Sequence, residues 1–256
     1  MPKQRNYPDK PESVYFFGTC LVDLFYPEAG LAGIELLERA GVEVIFPQDQ
    51  TCCGQPAFNS GYHDEALEVA RLQIDCFNKN IPIVVPSASC AGMMRNHYPE
   101  LFAGTSEESR ARALSDRTYE LTEFLVNVLN VELKDIGEPV RVTLHTSCSA
   151  WREMGVASEA KQLLAQLANV ELVELEREKE CCGFGGTFAV KHPEISAAMV
   201  NDKTAAICNT GAERVLGGDC GCLMNITGAL EHQGKTVRGQ HIANFLLERV
   251  DGRTGD

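Results

Sequence analysis

The tripeptide Cys-Cys-Gly occurs twice in the chain, within DQTCCGQPAF at 49–58 and KECCGFGGTF at 179–188. Further cysteines recur around each copy in the same order. FFGTC ends at Cys20 and LHTSC ends at Cys148, with 31 residues between Cys20 and Cys52 and 32 between Cys148 and Cys181. Beyond each pair, PSASCAGMM carries Cys90 and GGDCGCLMN carries Cys220 and Cys222; 36 residues separate Cys53 from Cys90 and 37 separate Cys182 from Cys220. Three cysteine stations at nearly constant spacing identify a duplicated unit. Whatever fold the chain adopts must be built twice.

The hydrophobic pattern says which fold. SVYFF, VEVIF and IPIVV are short apolar runs of strand length, and VRVTLH, VELVEL and ERVLG repeat them in the second half. Between them lie amphipathic segments of helical period. GLAGIELLERAG has Leu31, Ile34 and Leu37 at helical spacing and Gly41 as its stop; HDEALEVARLQIDCFNKN, ASEAKQLLAQLAN and EISAAMVNDKTAAICN follow the same pattern. Alternating strands and helices predict an α/β chain of two repeated domains, each a small parallel sheet flanked by helices. NVELKDIGEP is the expected junction, dividing the chain into 1–136 and 137–256, and FAGTSEESRARALSD reads as a loop or weak surface helix. Every cysteine station then falls in a loop at the carboxyl end of a strand, where open parallel sheets gather their ligands.

A net charge of −13 argues against nucleic acid and anionic membrane as partners. No apolar run reaches the length of a signal peptide or a membrane span, which predicts a cytoplasmic protein without membrane insertion. In that compartment thiols stay reduced, so eleven cysteines are not a disulfide framework. Clustered cysteines there mean metal or redox chemistry. Cys76 and Cys208, alone on amphipathic helices, are expected to pack as small apolar groups.

The other nine have two metal readings. Zinc takes four thiolates, usually from Cys-x-x-Cys knuckles whose two sulfurs face one ion. Side chains on adjacent residues tend to diverge, so a Cys-Cys pair suits different atoms of a larger centre, and an iron–sulfur cluster fits that geometry. Gly54 and Gly183 then let the backbone turn tightly and approach the cofactor. Neither G-x-G-x-x-G nor a P-loop is present, so no nucleotide cofactor is nominated. His145, three residues before Cys148, is a candidate to support the sulfurs. Met93, Met94 and Met224 are expected to pack. Arg95, Arg152 and Lys191 lie near the stations and are the candidates to grip a carboxylate.

These motifs resemble proteins built of two cysteine-rich CCG domains, a superfamily that includes the B subunit of heterodisulfide reductase and the C subunit of anaerobic glycerol-3-phosphate dehydrogenase. FGTCLVDLFYPEAG, CCGQPAFNSGY, PSASCAGMM, HTSCSAWREMG, CCGFGGTFAVKHPEIS and DCGCLMNI are similar to the LutA/YkgE (LldE) family of lactate-utilisation iron–sulfur proteins, over about residues 13–250. The resemblance implies an electron-transfer subunit of a cytoplasmic complex that oxidises L-lactate to pyruvate. Its partners would be a ferredoxin-like iron–sulfur subunit and a third small subunit. It implies one or two clusters of 4Fe-4S type per chain. In the heterodisulfide relatives five cysteines hold each cluster, the last two as Cys-x-x-Cys. Here the second half offers Cys148, Cys181, Cys182, Cys220 and Cys222, with the last pair one residue closer. The first half offers only Cys20, Cys52, Cys53 and Cys90. A heterodisulfide-reductase-like thiol/disulfide enzyme and a zinc-stabilised scaffold are the rival expectations.

Overall fold

In the structure, a computed structural model that describes residues 5–251, the duplication is realised as two four-stranded sheets. The first contains β1 (Ser13–Phe16), β2 (Glu43–Ile45), β3 (Ile83–Val85) and β4 (Thr118–Glu120), in the order β2-β1-β3-β4. The second contains β5 (Val140–His145), β6 (Val170–Val173), β7 (Arg214–Gly217) and β8 (Arg238–His241), in the order β6-β5-β7-β8. Every pairing is parallel. Parallel neighbours need crossover connections, and the amphipathic helices supply them. In each sheet the chain leaves the central strand to one side and returns to the other, so the switch point lies between β1 and β3, and between β5 and β7. Open parallel sheets form a ligand crevice at such a point, beyond the carboxyl ends of the strands.

The apolar runs expected as strands are β1, β2, β3, β5, β6 and β7. The fourth strand of each sheet was not legible: TYE and RGQH carry polar residues that read as surface, yet Thr118, Glu120 and His241 are all buried. The Pro27–Arg39 helix also differs in detail from its sequence reading. Leu31 is 67% exposed, and the buried side runs through Ala29, Ala32, Leu36 and Leu37. Small residues on that side let the helix approach β1, as Gly33 against the Phe16 ring shows. Gly41, at φ 77°, ends the helix as expected: its N–H donates to Glu38 O (2.8 Å) and the Val42 N–H to Leu37 O (3.2 Å). The segment after Phe102 forms a helix over Glu108–Asp116.

Three apolar clusters hold the chain together. One belongs mainly to the first sheet and its helices, around Phe17, Phe77, Met93, Met94 and Tyr98; another belongs to the second, around Val200, Ile207, Val215 and Ile226. The largest is common to both: Phe16, Leu37 and Phe124 pack in one cluster with Leu144, Leu163 and Phe245. The 130–139 stretch carries no helix or strand, but it is strapped down. Asp135 pairs with Arg249 at 2.7 Å, both almost fully buried, and the Arg249 guanidinium also donates to Glu138 O. The Ile136 N–H donates to Arg249 O at 2.9 Å.

Polar contacts fix the two sheet ends against each other. The His241 Nε2–H lies 2.9 Å from Pro86 O and 3.1 Å from Gly218 O, while Nδ1 accepts from the Ala243 N–H. One neutral imidazole thereby joins the end of β3 to the end of β7. Beside it, Asp219 Oδ1 accepts from Ser87 Oγ and from the Ser89 N–H at 3.0 Å.

Two measurements test this reading. Removing one member of a buried ion pair leaves a charge uncompensated, at a cost of about 3–5 kcal/mol. Asp135→Asn is therefore expected to lower the unfolding free energy in urea by about that amount. Burial holds the His241 imidazole below its ordinary value, so its contribution is complete above the unfolded value of roughly 6.5 and declines as pH falls below it. Between about pH 6.5 and 5 the native chain should lose stability more steeply than His241→Gln; equal slopes would remove His241 from the account.

Candidate metal centre

Nine cysteines, all but Cys76 and Cys208, line one cavity of about 390 Å³ at the strand ends. All eleven are free thiols. In the first repeat Cys20 Sγ lies 3.8 Å from Cys52 Sγ, and Cys53 Sγ lies 3.4 Å from Cys90 Sγ. In the second, Cys182 Sγ and Cys222 Sγ lie within 4.8 Å of each other, and Cys148 stands beside Cys181. Each adjacent pair thus divides its sulfurs: the first member meets the leading station, the second meets the trailing one. Cys76 and Cys208 pack instead against the apolar clusters, as do Met93 and Met94.

The sequence puts every station in a loop, and the structure corrects this. Cys20 opens the Cys20–Phe25 helix and Cys90 lies within Ala88–Gly92. Cys148 precedes a π-helix over Ser149–Met154, and Cys220 and Cys222 begin Cys220–His232. The few polar or glycine residues before each helix read as a loop, but they are only its N-terminal cap, and the helix begins at or near the cysteine. Only the Cys-Cys-Gly pairs stand outside helices and strands.

Those loops are shaped by their glycines. Gly54 and Gly183 both adopt φ 87°, a left-handed conformation that Cβ disfavours. The turn brings the Gly54 N–H to Cys52 Sγ and the Gly183 N–H to Cys181 Sγ, both at 3.4 Å. The carbonyl of the second cysteine is held as well: Tyr98 Oη donates to Cys53 O (2.9 Å) and Asn225 Nδ2 to Cys182 O (2.8 Å).

The sulfurs differ in charge preference. Cys52 is pulled down to about 3, chiefly by hydrogen bonds from the Cys20 and Cys53 thiols, with the Gly54 N–H adding to them. Cys181 is pulled down to about 2 by the matching bonds from Cys148, Cys182 and Gly183. Cys222 comes down to about 7 through Cys182 first and His145 after burial's opposing effect. The donors Cys20 and Cys148 are pushed up by those bonds and by burial. Burial likewise raises Cys220, helped by Asp219 and then Cys90. Each repeat therefore favours thiolate at the first cysteine of its pair.

No Lys or Arg lines this cavity, whereas Glu153 and Asp219 do. Glu153 Oε2 and Asp219 Oδ2 are buried without a hydrogen-bond partner, as are both ring nitrogens of His145. Crowded thiols, unpartnered carboxylate oxygens and no organic cation form a donor set that fits a positively charged metal centre. The basic candidates from the sequence are elsewhere. Arg95 is taken by Glu123 and Thr118 O, while Arg152 and Lys191 are exposed and outside the cavity lining. Their positions near the cysteines along the chain do not become proximity in space.

Sequence reasoning missed Asp219, Glu153, Ser87 and Ser89. The signal was alignment of the third stations: Ser87 and Asp219 are the N-cap residues of equivalent helices. Cys90 then matches Cys222, and Cys220 stands where the first repeat has Ala88.

Comparison with known proteins places the chain. A family model for the cysteine-rich domain CCG matches residues 14–95 and 142–227. The chain is 50% identical over 239 residues to lactate utilization protein A of Geobacillus sp. (strain WCH70), covering 92% of this chain and 99% of that one. It belongs to the lactate utilization protein A family. With the same-named protein of Bacillus subtilis (strain 168) identity is 47% over 239 residues, covering 92% and 99%. A solved structure of a hypothetical protein from Helicobacter pylori shares the fold at TM-score 0.66 and 11% identity, covering 99% of this chain and 52% of that one.

The two glycines are not equally replaceable. A Cβ at Gly183 would sit 2.8 Å from Ser196 O, against 3.3 Å from Ala66 O at Gly54. Gly54→Ala should cost about 1–2 kcal/mol from left-handed backbone strain alone. Gly183→Ala should cost more, because backbone must move. Urea midpoints of the two variants give the order directly.

Proposed function

We propose that this chain is an iron–sulfur electron-transfer subunit of a cytoplasmic system that oxidises L-lactate to pyruvate. The observation that carries this reading is the pair of four-thiol sets facing one cavity, Cys20, Cys52, Cys53 and Cys90 in one repeat and Cys148, Cys181, Cys182 and Cys222 in the other. Cys220 is a ninth sulfur between them, with Cys90 and Cys222 both among its charged neighbours. One 4Fe-4S-type cluster per repeat suits this symmetry. Such a cluster, when bound, supplies one-electron chemistry.

The chain's own groups would tune that chemistry. Gly54 and Gly183 donate N–H to sulfur, and hydrogen bonds to ligating sulfur shift a cluster's potential. Burial of Cys53 and Cys182 keeps water from the inner sulfurs. The cavity offers no guanidinium or ammonium to a lactate carboxylate. That favours a carrier role here, with lactate bound by a partner subunit of the same system. No helix among the described residues is long and apolar enough to cross a membrane. Val190, 83% exposed on the cavity rim, and Leu24 and Phe25, exposed just after Cys20, offer apolar surface to the ferredoxin-like and third subunits.

Anaerobic preparation of the full chain with iron, acid-labile sulfide and zinc analysis tests the reading. Iron and sulfide in near-equal amounts are expected. Cys182→Ser should lose iron from the second site, while Cys76→Ser should leave iron unchanged. Zinc without iron or sulfide would replace the redox reading with a structural one.

A further inference from the structure

The two sites share a four-thiol plan, and beside that plan they differ at a buried side chain. Three residues before the leading cysteine, the first repeat has Phe17 and the second has His145. Phe17 is fully buried and packs edge-on against Phe77, with ring centroids 5.7 Å apart. His145 ends β5, is 2% exposed, and has no hydrogen-bond partner at either ring nitrogen. A buried polar group left unpaired costs about 1–3 kcal/mol, so native interiors rarely retain one without a use.

The heteroatoms beside the ring are sulfurs. A His145 ring nitrogen, Cys182 Sγ and Cys222 Sγ all lie within 4.8 Å of one another. One metal ion can be reached by three donors that close, and imidazole and thiolate are both common ligands of iron and zinc. A cavity of about 30 Å³ lies beside this residue, lined by His145, Ser147, Glu120 and Asp219, with room for a water molecule. Asp219 Oδ2 has no partner. A ligating imidazole ordinarily donates its second N–H to a carboxylate or water, which fixes its tautomer. The sulfurs on one hand and a polar cavity with an unpartnered carboxylate oxygen on the other are both close to His145, and a phenylalanine ring such as Phe17 could use neither.

We propose that His145 is a nitrogen ligand of the metal centre in the second repeat. The chain then carries two unlike centres: one held by thiolates alone, the other by mixed imidazole and thiolate. The inference rests on the iron–sulfur reading above and adds a ligand to it. Histidine is a neutral donor, so the second centre differs from the first in the chemistry of one ligand without gaining a negative charge from it.

Mössbauer spectroscopy of the full chain loaded with 57Fe tests this, because it registers every iron whatever its spin state. Native protein, His145→Phe (which restores the residue of the first repeat) and His145→Cys are compared, with iron and sulfide measured on the same samples. The native spectrum should contain a subset of iron with a more positive isomer shift than its all-sulfur neighbours. That subset should vanish in His145→Cys, which keeps its iron, and in whatever iron His145→Phe retains. Superposable native and variant spectra at equal iron content would overturn His145 ligation and leave the iron–sulfur reading standing. Native protein without iron and sulfide would overturn both.

Discussion

Closely spaced sulfur atoms, 3.4–3.8 Å apart in the first repeat and within 4.8 Å for Cys182 and Cys222 in the second, are an unstable arrangement for thiolates in a poorly solvated space, and both groups face one cavity. Without a disulfide to relieve them, the sulfurs share protons: one in each repeat is held as thiolate by the thiols and the glycine N–H that donate to it. The rest of the lining adds carboxylates rather than cations. The surroundings therefore accumulate negative charge with nothing from the chain to neutralise it. The proposed metal centre would answer this deficit, and the fold gathers the sulfurs that would hold it at one place.

Holding it requires rigidity across the duplication. Each sheet delivers its stations to its own switch point, but the cavity is formed from both, so the two sheets must stay in register with each other. His241 ties the backbone after β3 to the backbone after β7, and Asp219 reaches from one third station to the serines of the other. Behind them the common apolar cluster fixes the helices that carry those ends. Stability and site geometry are thus the same set of contacts.

Much of this was legible in the residues. Cysteine spacing revealed the repeat, and the apolar runs gave six of the eight strands because short β-rich segments buried on both faces are nearly continuous in hydrophobic character. β4 and β8 escaped because their polar residues serve the junction between repeats, where Glu120 caps a helix and His241 bridges carbonyls. The stations read as loops because short polar caps, Thr19, Ser87 and Asp219, stand between each strand and a helix that begins at or near its cysteine. Arg95 looked available until Glu123, distant in sequence, took it. His145 could be noticed only as a neighbour of Cys148; that its ring meets Cys182 and Cys222 depends on how β5 and β7 pair.

The common cluster also bears on how independent the repeats are. Phe124 and Leu125 from one half and Phe245 and Leu246 from the other are buried in one mass. A chain cut at the junction would present those side chains to water on both fragments and split the Asp135–Arg249 strap from its surroundings. The two repeats are complementary parts, so a substitution in the shared mass of one must be accommodated by the other.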